Sequence, residues 1–301
     1  MTTQAAGVED KIARLVGGIN NLPTPPIVFT QIQKVLNDPN TSAYEIGSIL
    51  QEDPAITAKV LKMTNSAYYG LSHTVESVKQ AVVIIGLDAI RNLVLSASMF
   101  EAFKSNQLDQ EFQDLFWRHS LATAFAARLL AHTLKSQVYF DPESGFSAGL
   151  LHDIGKMVIS VYMSDQAAEI KSQKQADPFK YDYKIEEAVI GYNHCQIGDI
   201  LAQHWKLPNK LTEAIKYHHH PQLKEDKDNN LPYLINLANH LATSTFDIDP
   251  EEGNEALVEP VSEEALAAAG LSKAKLHTYI GRLREEYTKA ETFIKMAKGA
   301  A

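Results

Sequence analysis

The histidines impose the strongest constraint on how this chain folds, because they are concentrated in one stretch yet dispersed along it. Nine of the eleven histidines lie between residues 119 and 240, and only His73 and His277 lie outside. Imidazole nitrogens and carboxylate oxygens are donors that divalent transition metals use in proteins. If these histidines serve one site, the chain must fold so that distant segments converge.

Seven residues form the candidate metal site. They are His119 in WRHS, His152 and Asp153 in LLHDIGK, His194 in NHCQ, His218 and His219 in YHHH, and Asn239 in LANHLA. The last place holds an asparagine where a carboxylate would complete the set, and its neutral oxygen is a weaker ligand. The sequence leaves open whether His218 or His219 faces the site. If a metal is bound, the sequence predicts one or two divalent ions, drawn from Fe, Mn, Ni and Zn, and otherwise no cofactor.

The HD dipeptide is predicted to lie on a helix, where the adjacent side chains of His152 and Asp153 diverge by roughly 100°. Two cations held there would polarise a phosphoryl oxygen. Lys156, one turn later, is placed to pair with a phosphate as a point charge. No catalytic residue is assigned; if the site is active, Asp153 and Lys156 are the expected catalytic residues.

The remaining histidines have a simpler interpretation. A single histidine on an apolar helix is usually a hydrogen-bonded structural residue, which is the expectation for His132, His204 and His240. The run HHHP after Tyr217 also fits a helix end, because imidazolium favours a helix C-terminus and the proline follows it.

Helix signals recur along the chain and predict an all-α fold. Ser42 and Glu45 form a candidate capping box, and Asp53-Pro54 fits the N-cap and first position of the next helix. Gly86 separates AVVII from the periodic segment that begins at Leu87. Strand alternation bounded by hairpin turns is not found.

Two polar stretches, 104–109 and 245–260, divide the chain. They predict an N-terminal helical lobe at 8–105, a histidine-rich helical lobe at 110–245 packed on it, and a C-terminal helical appendix at 261–298. In the appendix, Leu271, Leu276, Ile280, Leu283 and Tyr287 have the spacing of one amphipathic helix.

Composition excludes several classes of partner. The formal charge of −9 without a basic cluster argues against nucleic-acid binding. The single cysteine, Cys195, excludes an internal disulfide and fits a reducing compartment. The apolar run Ala81–Leu87 is too short to span a bilayer, and the N-terminal residues do not read as a signal peptide. We therefore expect a cytoplasmic protein that acts without a membrane.

The motifs together carry a family resemblance. LHDIGK, with His119 before it and His194, His218 and His219 after it, resembles the HD superfamily of metal-dependent phosphohydrolases. The N-terminal half, with NSAYYG at residues 65–70 and IGL at residues 85–87, is similar to the HDOD domain of bacterial signalling proteins. The resemblance covers about residues 20–245. It implies an all-helical fold and a role in signal transduction.

The resemblance also sets the expected function. Many HDOD proteins lack complete metal ligands and are regarded as regulatory modules, so we expect a non-catalytic module that binds a signalling protein or a small nucleotide ligand. The alternative is a metal-dependent phosphohydrolase or phosphodiesterase acting on a nucleotide. The chain lacks the GYP segment of the related cyclic-di-GMP phosphodiesterases. No separate cofactor-binding residue is predicted, and oligomerisation stays open.

Overall fold

The protein is built from α-helices in every segment that the computed structural model describes, which are residues 27–36, 41–103, 109–134, 138–247 and 258–297. The predicted all-α class is confirmed for these residues. The helices are α1 (Ile27–Leu36), α2 (Ala43–Gln51), α3 (Pro54–Thr64), α4 (Val78–Ile85), α5 (Leu87–Ala102), α6 (Gln110–Thr133), α7 (Pro142–Leu151), α8 (Ile154–Tyr162), α9 (Ser164–Ala176), α10 (Asp182–Ile190), α11 (His194–His204), α12 (Asn209–Tyr217), α13 (Leu231–Ala242), α14 (Glu263–Ala269), α15 (Lys273–His277) and α16 (Ile280–Ala297).

The described residues fall into two compact units. The N-terminal unit contains residues 27–36, 41–103 and 284–297, and the histidine unit contains residues 109–134, 138–247 and 258–283. The extents predicted for the three sequence regions remain predictions. In the described parts of the chain, no helix is both long enough and apolar enough for a membrane span.

Local capping sets the helix starts of the N-terminal unit. Ser42 and Glu45 form the predicted capping box at α2. The Asp53 carboxylate accepts the amide hydrogens of Ala55 and Ile56, at 3.0 Å each, and Pro54 opens α3 as expected. Gly86, with a φ of +87°, separates α4 from α5. These elements pack around fully buried apolar side chains, each contributing about 1.5–3 kcal/mol. The largest of them include Ile46, Leu50, Ile56, Met63, Ile90 and Leu93.

The NSAYYG segment closes the end of α3. The side-chain amide of Asn65 donates to the carbonyl of Val75 at 2.8 Å and accepts from its amide at 2.7 Å, so it holds both backbone groups of one residue. Tyr68 and Tyr69 meet edge to face with ring centroids 5.1 Å apart. This arrangement favours a structural role for the segment.

The histidine unit is organised around two sets of helices. Helix α6 packs against α7 and α13, and α11 packs against α8 and α12. Its core includes side chains that are almost completely buried: Leu121, Phe125, Leu150, Ile197 and Leu234. The two sets bring the candidate ligands to the interior of one unit.

Two local expectations differ from the structure. His152 and Asp153 form the turn between α7 and α8 instead of the interior of one helix. The C-terminal appendix contains three helices instead of one amphipathic helix. Gly270 ends α14 in the left-handed conformation with a φ of +66°, and the predicted amphipathic stretch that follows it is divided between α15 and α16. Leu271 lies between α14 and α15.

Candidate metal centre

The candidate ligands come from several different helices and from one turn between helices. His119 lies within α6, and His152 and Asp153 form the α7–α8 turn. His194 begins α11, His218 is the C-cap of α12 with His219 after it, and Asn239 lies on α13. The fold thus brings together residues that are as much as 120 positions apart in sequence.

Two glycines allow the HD turn to approach its neighbours. A Cβ atom on Gly149 would lie 2.7 Å from the backbone Cα of Ala124, so α7 crosses α6 at this point. A Cβ atom on Gly155 would lie 2.0 Å from the carbonyl oxygen of His194, so α8 touches the start of α11. The two contacts flank the HD turn and fix it against the helices that carry His119 and His194.

The histidine Nε2 atoms converge. The Nε2 of His119 lies 3.3 Å from that of His152. The Nε2 of His194 lies 3.4 Å from that of His218 and 3.2 Å from that of His219. Two nitrogens that bind one tetrahedral ion at about 2.0–2.1 Å are about 3.3–3.4 Å apart. The observed separations fit shared coordination.

The opposite nitrogen of each ring is already used. His152 and His218 donate Nδ1–H to backbone carbonyls three residues earlier, at 2.8 Å each. The other three rings have carboxylate partners, which are Glu186 for His194, Asp247 for His119 and Glu259 for His219. A partner at Nδ1 directs the lone pair of a neutral imidazole to Nε2. Five rings therefore turn their metal-binding atoms toward one region.

Asp153 lies between two groups of rings. Its Oδ2 is 3.5 Å from His152 Nε2 and 3.8 Å from His119 Nε2. Its Oδ1 is 3.1 Å from His194 Nε2 and 3.5 Å from His218 Nε2. This Oδ1 is buried, and no residue in the described ranges donates a hydrogen bond to it. A buried carboxylate oxygen without a donor, facing imidazole nitrogens, fits a cation.

The protonation of the rings is uneven. Burial lowers the pKa of His152 and of His219 well below the ordinary value, so both rings are neutral donors. Burial also opposes the charged form of His218, but Cys195 and Asp153 outweigh it and raise its pKa to about 9. The pKa of His194 is raised in the same way, against burial, by Cys195, Glu186 and Asp153. These two rings must release a proton before they bind a cation.

Asp153 and Lys156 form a charged pair beside the histidines. Burial raises the pKa of Asp153, yet His152, Lys156 and His194 together hold it well below its ordinary value. The Lys156 ammonium lies 2.8 Å from Asp153 Oδ2 and 3.2 Å from Asp182. Against its burial, these carboxylates raise the pKa of Lys156 well above the ordinary value. Both groups are therefore ionised.

A cavity of about 550 Å³ opens onto the cluster. Its wall includes three cationic side chains, Arg118, Lys156 and Lys174. It also includes four aromatic side chains and the ligand candidates that face the opening. These are Phe112, Phe116, Tyr181, Tyr183, His119, Asp153, His219 and Asn239. The cluster is accessible to a small molecule from this side.

The structure answers the geometric questions that the sequence left open. Both His218 and His219 face the cluster, and Asn239 lines the same cavity. His132 and His204 are exposed and lie outside it. His240 is buried, and its Nε2 lies 3.0 Å from the Nε2 of His277. That any of the seven candidates binds a metal stays a prediction.

Four residues of the cluster were not singled out by their sequence context. Glu186, Asp247 and Glu259 hold the Nδ1 atoms, and the Sγ of Cys195 lies 3.9 Å from both ring nitrogens of His218. Asp247 and Glu259 fell within the stretch expected to be a polar linker. Asp247 instead ends a π-helical turn, Thr243–Asp247, that continues α13. The order of acidic residues along the chain gave no signal for these roles.

A protein-family comparison matches residues 22–221 to the HDOD domain. The chain belongs to the HDOD family. This confirms the resemblance seen in the motifs. The match contains all the histidines of the cluster and Asp153, and it ends before Asn239, Asp247 and Glu259.

Solved structures extend the comparison to 95% of the chain. An HDOD domain protein of unknown function from Geobacter sulfurreducens is 23% identical, with a TM-score of 0.76, covering 95% of this chain and 99% of that one. A protein from Shewanella amazonensis SB2B, named as a candidate phosphohydrolase, is 25% identical with a TM-score of 0.70, covering 95% and 98%.

A curated relative comes from Treponema pallidum (strain Nichols), where it is an uncharacterized protein. It is 28% identical over 221 residues, which are 72% of this chain and 40% of that protein. This HDOD chain therefore spans less than half the length of that relative.

Proposed function

We propose that this HDOD protein is a signal-transduction module whose histidine cluster binds divalent transition-metal ions and, through them, a phosphate-bearing small molecule. The observation that carries the proposal is the convergence of four Nε2 atoms, from His119, His152, His194 and His218, on Asp153. A fifth, from His219, lies 3.2 Å from that of His194, and the buried Oδ1 of Asp153 has no hydrogen-bond partner of good geometry within the described part of the chain. Ring nitrogens that face one another at these distances are unfavourable unless a cation or protons lie between them. An ion satisfies all of them together.

The residues divide into two ligand groups. His119, His152 and Asp153 form one group, and His194, Cys195, His218 and His219 form the other. Because Asp153 faces both groups with different oxygens, it is the residue suited to bridge two ions. Mixed imidazole and carboxylate donors suit Fe, Mn, Ni or Zn.

Cationic side chains in the cavity wall support an anionic ligand, although the wall also contains the carboxylates of Asp153, Asp182, Asp247 and Glu259. Lys156 and Lys174 are held near the opening by Asp182, at 3.2 Å in each case. Lysine ammonium groups bind phosphate oxygens as point charges. The aromatic wall around Tyr181 and Tyr183, whose rings stack with centroids 6.0 Å apart, offers apolar contact to a planar group. A small phosphorylated molecule with an aromatic part matches this surface.

Hydrolysis is the second candidate function. It is favoured by the position of Asp153 between the two ligand groups, and by the candidate phosphohydrolase among the similar structures. Bound ions would supply Lewis-acid polarisation of a phosphoryl oxygen. Asn239 and the missing GYP segment argue for binding without turnover. We therefore place binding first.

Metal binding is tested on the purified full chain by elemental analysis and by titration with Mn, Fe, Ni and Zn. We expect His152→Ala and Asp153→Asn to weaken binding by more than about 100-fold, beyond the 10–100-fold typical of changes to groups that only support ligands. His132→Ala is the matched control, because His132 is exposed and lies on the same helix as His119. Equal binding by all four proteins would refute the proposal.

Turnover separates the two candidates. The metal-loaded protein is assayed against cyclic dinucleotides and general phosphoesters, and we expect ligand binding with little or no hydrolysis. Multiple turnover that disappears in both His152→Ala and Asp153→Ala, with the fold intact by circular dichroism, would establish the hydrolase instead. If Asn239→Asp creates activity that the parent lacks, the centre is a catalytic one that lost its last carboxylate, and binding is its present function.

A further inference from the structure

A short segment after the family-matched region passes over the histidine cluster. We call residues 258–262 the strap. The backbone carbonyl of Glu259 accepts Nδ1–H of His240 at 2.9 Å, and the amide of Ser262 donates to Asn236 Oδ1 at 2.8 Å. Both partners lie on α13. Val261, between the two contacts, is buried. The backbone of the strap is therefore fixed at both ends by one helix.

The strap delivers a carboxylate to the cluster. The Glu259 side chain hydrogen-bonds Nδ1 of His219, whose Nε2 lies 3.2 Å from Nε2 of His194. Tyr183 stacks on the same ring, with centroids 4.6 Å apart and planes 29° from parallel. The His219 ring is thus held by a carboxylate at its edge and an aromatic ring on its face.

The strap is also connected to the backbone that carries the ligands. Asn236 donates its side-chain amide hydrogen to the carbonyl of His218 at 2.9 Å, while its oxygen accepts from Ser262. His240, which donates to the carbonyl of Glu259, also has its Nε2 3.0 Å from the Nε2 of His277. A continuous set of contacts therefore links α15, the strap and the ligand pair His218–His219.

The support of His219 differs from that of three other rings. His152 and His218 donate Nδ1–H to carbonyls of their own helices, and His194 uses Glu186, so these supports all lie within the family-matched residues 22–221. Glu259 lies outside that region. The tautomer of His219 consequently depends on a segment that the matched domain does not contain.

We propose that Glu259 is a positioning residue of the metal centre, and that metal binding in turn holds the strap and α14 in place. This inference rests on the proposed metal-binding function. Carboxylates that accept Nδ1–H from a ligand histidine fix its orientation and raise its basicity. Because coupling between two events is reciprocal, a strap that strengthens metal binding is itself stabilised by the metal. Metal occupancy then changes the surface formed by the C-terminal residues of the histidine unit.

The test uses the full chain with Glu259→Ala, Glu259→Gln and the control Glu263→Ala. Glu263 is exposed and lies four residues after Glu259, at the first position of α14. By titration with Zn and Mn, we expect Glu259→Ala to lose about 10–100-fold in affinity. Glu259→Gln should recover much of this loss, because its amide oxygen still accepts Nδ1–H, and Glu263→Ala should match the parent.

Hydrogen exchange gives a second readout that does not depend on activity. In the parent and in Glu263→Ala, Zn should slow exchange of the strap and α14 amides, with Ser262 as the reporter, and this protection should be lost in Glu259→Ala. If the parent binds metal but all variants bind it equally and the strap is not protected, this inference is wrong and the proposed function stands. If the parent binds no metal, both fail. Should Glu259→Ala not fold, equal affinity of Glu259→Gln and the parent without strap protection would still overturn the inference.

Discussion

Gly155→Ala should weaken metal binding although Gly155 is not a candidate ligand, because the added Cβ atom would clash with the backbone of His194. The added Cβ would lie 2.0 Å from the carbonyl oxygen of His194, 2.8 Å from its carbonyl carbon and 2.9 Å from its Cα. Real Cβ contacts essentially never fall below 3.0 Å, so α8 and α11 must separate by at least about 1.0 Å. No side-chain rotation relieves the clash, because all three atoms belong to the backbone.

The separation of α8 from α11 determines how much metal affinity is lost. His194 Nε2 lies 3.1 Å from Asp153 Oδ1, and Asp153 belongs to the turn that leads directly into α8. Metal–ligand distances tolerate only about ±0.2 Å, and sites function when held within about 0.5 Å. A 1.0 Å separation therefore exceeds the tolerance, and we expect a loss of metal affinity of at least about tenfold.

Overpacking also lowers stability. Forced backbone shifts in a packed interior typically cost about 1–3 kcal/mol, and a backbone clash belongs at the upper end. For a unit of this size, about 2–3 kcal/mol lowers the melting temperature by roughly 4–12 °C. Differential scanning fluorimetry with and without Zn measures both effects.

The matched control is Gly281→Ala, where no atom of the described residues outside the glycine's own helix and its chain neighbours lies within 4 Å of the added Cβ. In that helix, alanine is favoured over glycine by about 0.5–1 kcal/mol, so the control should be slightly more stable than the parent. The reasoning is refuted if Gly155→Ala has the melting temperature and metal affinity of this control.

Two further predictions follow from caps and charges. Asp53→Ala removes the acceptor of two amide hydrogens at the start of α3 and should lower the free energy of unfolding by about 1 kcal/mol in urea titrations, leaving metal affinity unchanged; an unchanged urea midpoint would contradict it. Metal affinity should rise with pH up to about 9, because the His218 imidazolium, whose pKa is raised to about 9, must lose its proton to become a ligand. Titration calorimetry in buffers of different ionisation enthalpy would show proton release below that pH, and its absence would mean that His218 stays outside the coordination shell.

The parts of the fold that the sequence predicts well depend on residues close together in the chain. The capping box of Ser42 and Glu45, the Asp53-Pro54 start and the break at Gly86 each require contacts within three or four residues. The appendix was less well predicted, since the apolar spacing from Leu271 to Tyr287 suggested one helix, whereas α15 ends at His277 and α16 begins at Ile280.

The candidate site shows the same division. Its candidate ligands can be picked out in the sequence, because five histidines and one aspartate in short motifs such as LHDIGK form a donor set that few other roles require. Their supports are not recognisable, because Glu186, Asp247 and Glu259 are ordinary acidic residues until the fold places them beside Nδ1 atoms. Glu259 reaches a histidine 40 positions earlier. Such pairings arise from tertiary contacts and carry no local periodicity.

The charge of the ligand set bears on the choice between binding and turnover. Among the seven candidates, Asp153 alone is anionic, and the Cys195 thiolate of the second ligand group would add one further negative charge. A centre with two divalent ions would therefore keep a positive inner shell. The carboxylates of Glu186, Asp247 and Glu259 contact the Nδ1 atoms of the histidine rings. They therefore offset the positive charge of the inner shell only from outside that shell. A positive centre beside Lys156 attracts phosphate and also retains it. Replacing a closing carboxylate by Asn239 therefore favours tight ligand binding and slow release, which suits a module that reports the presence of its ligand.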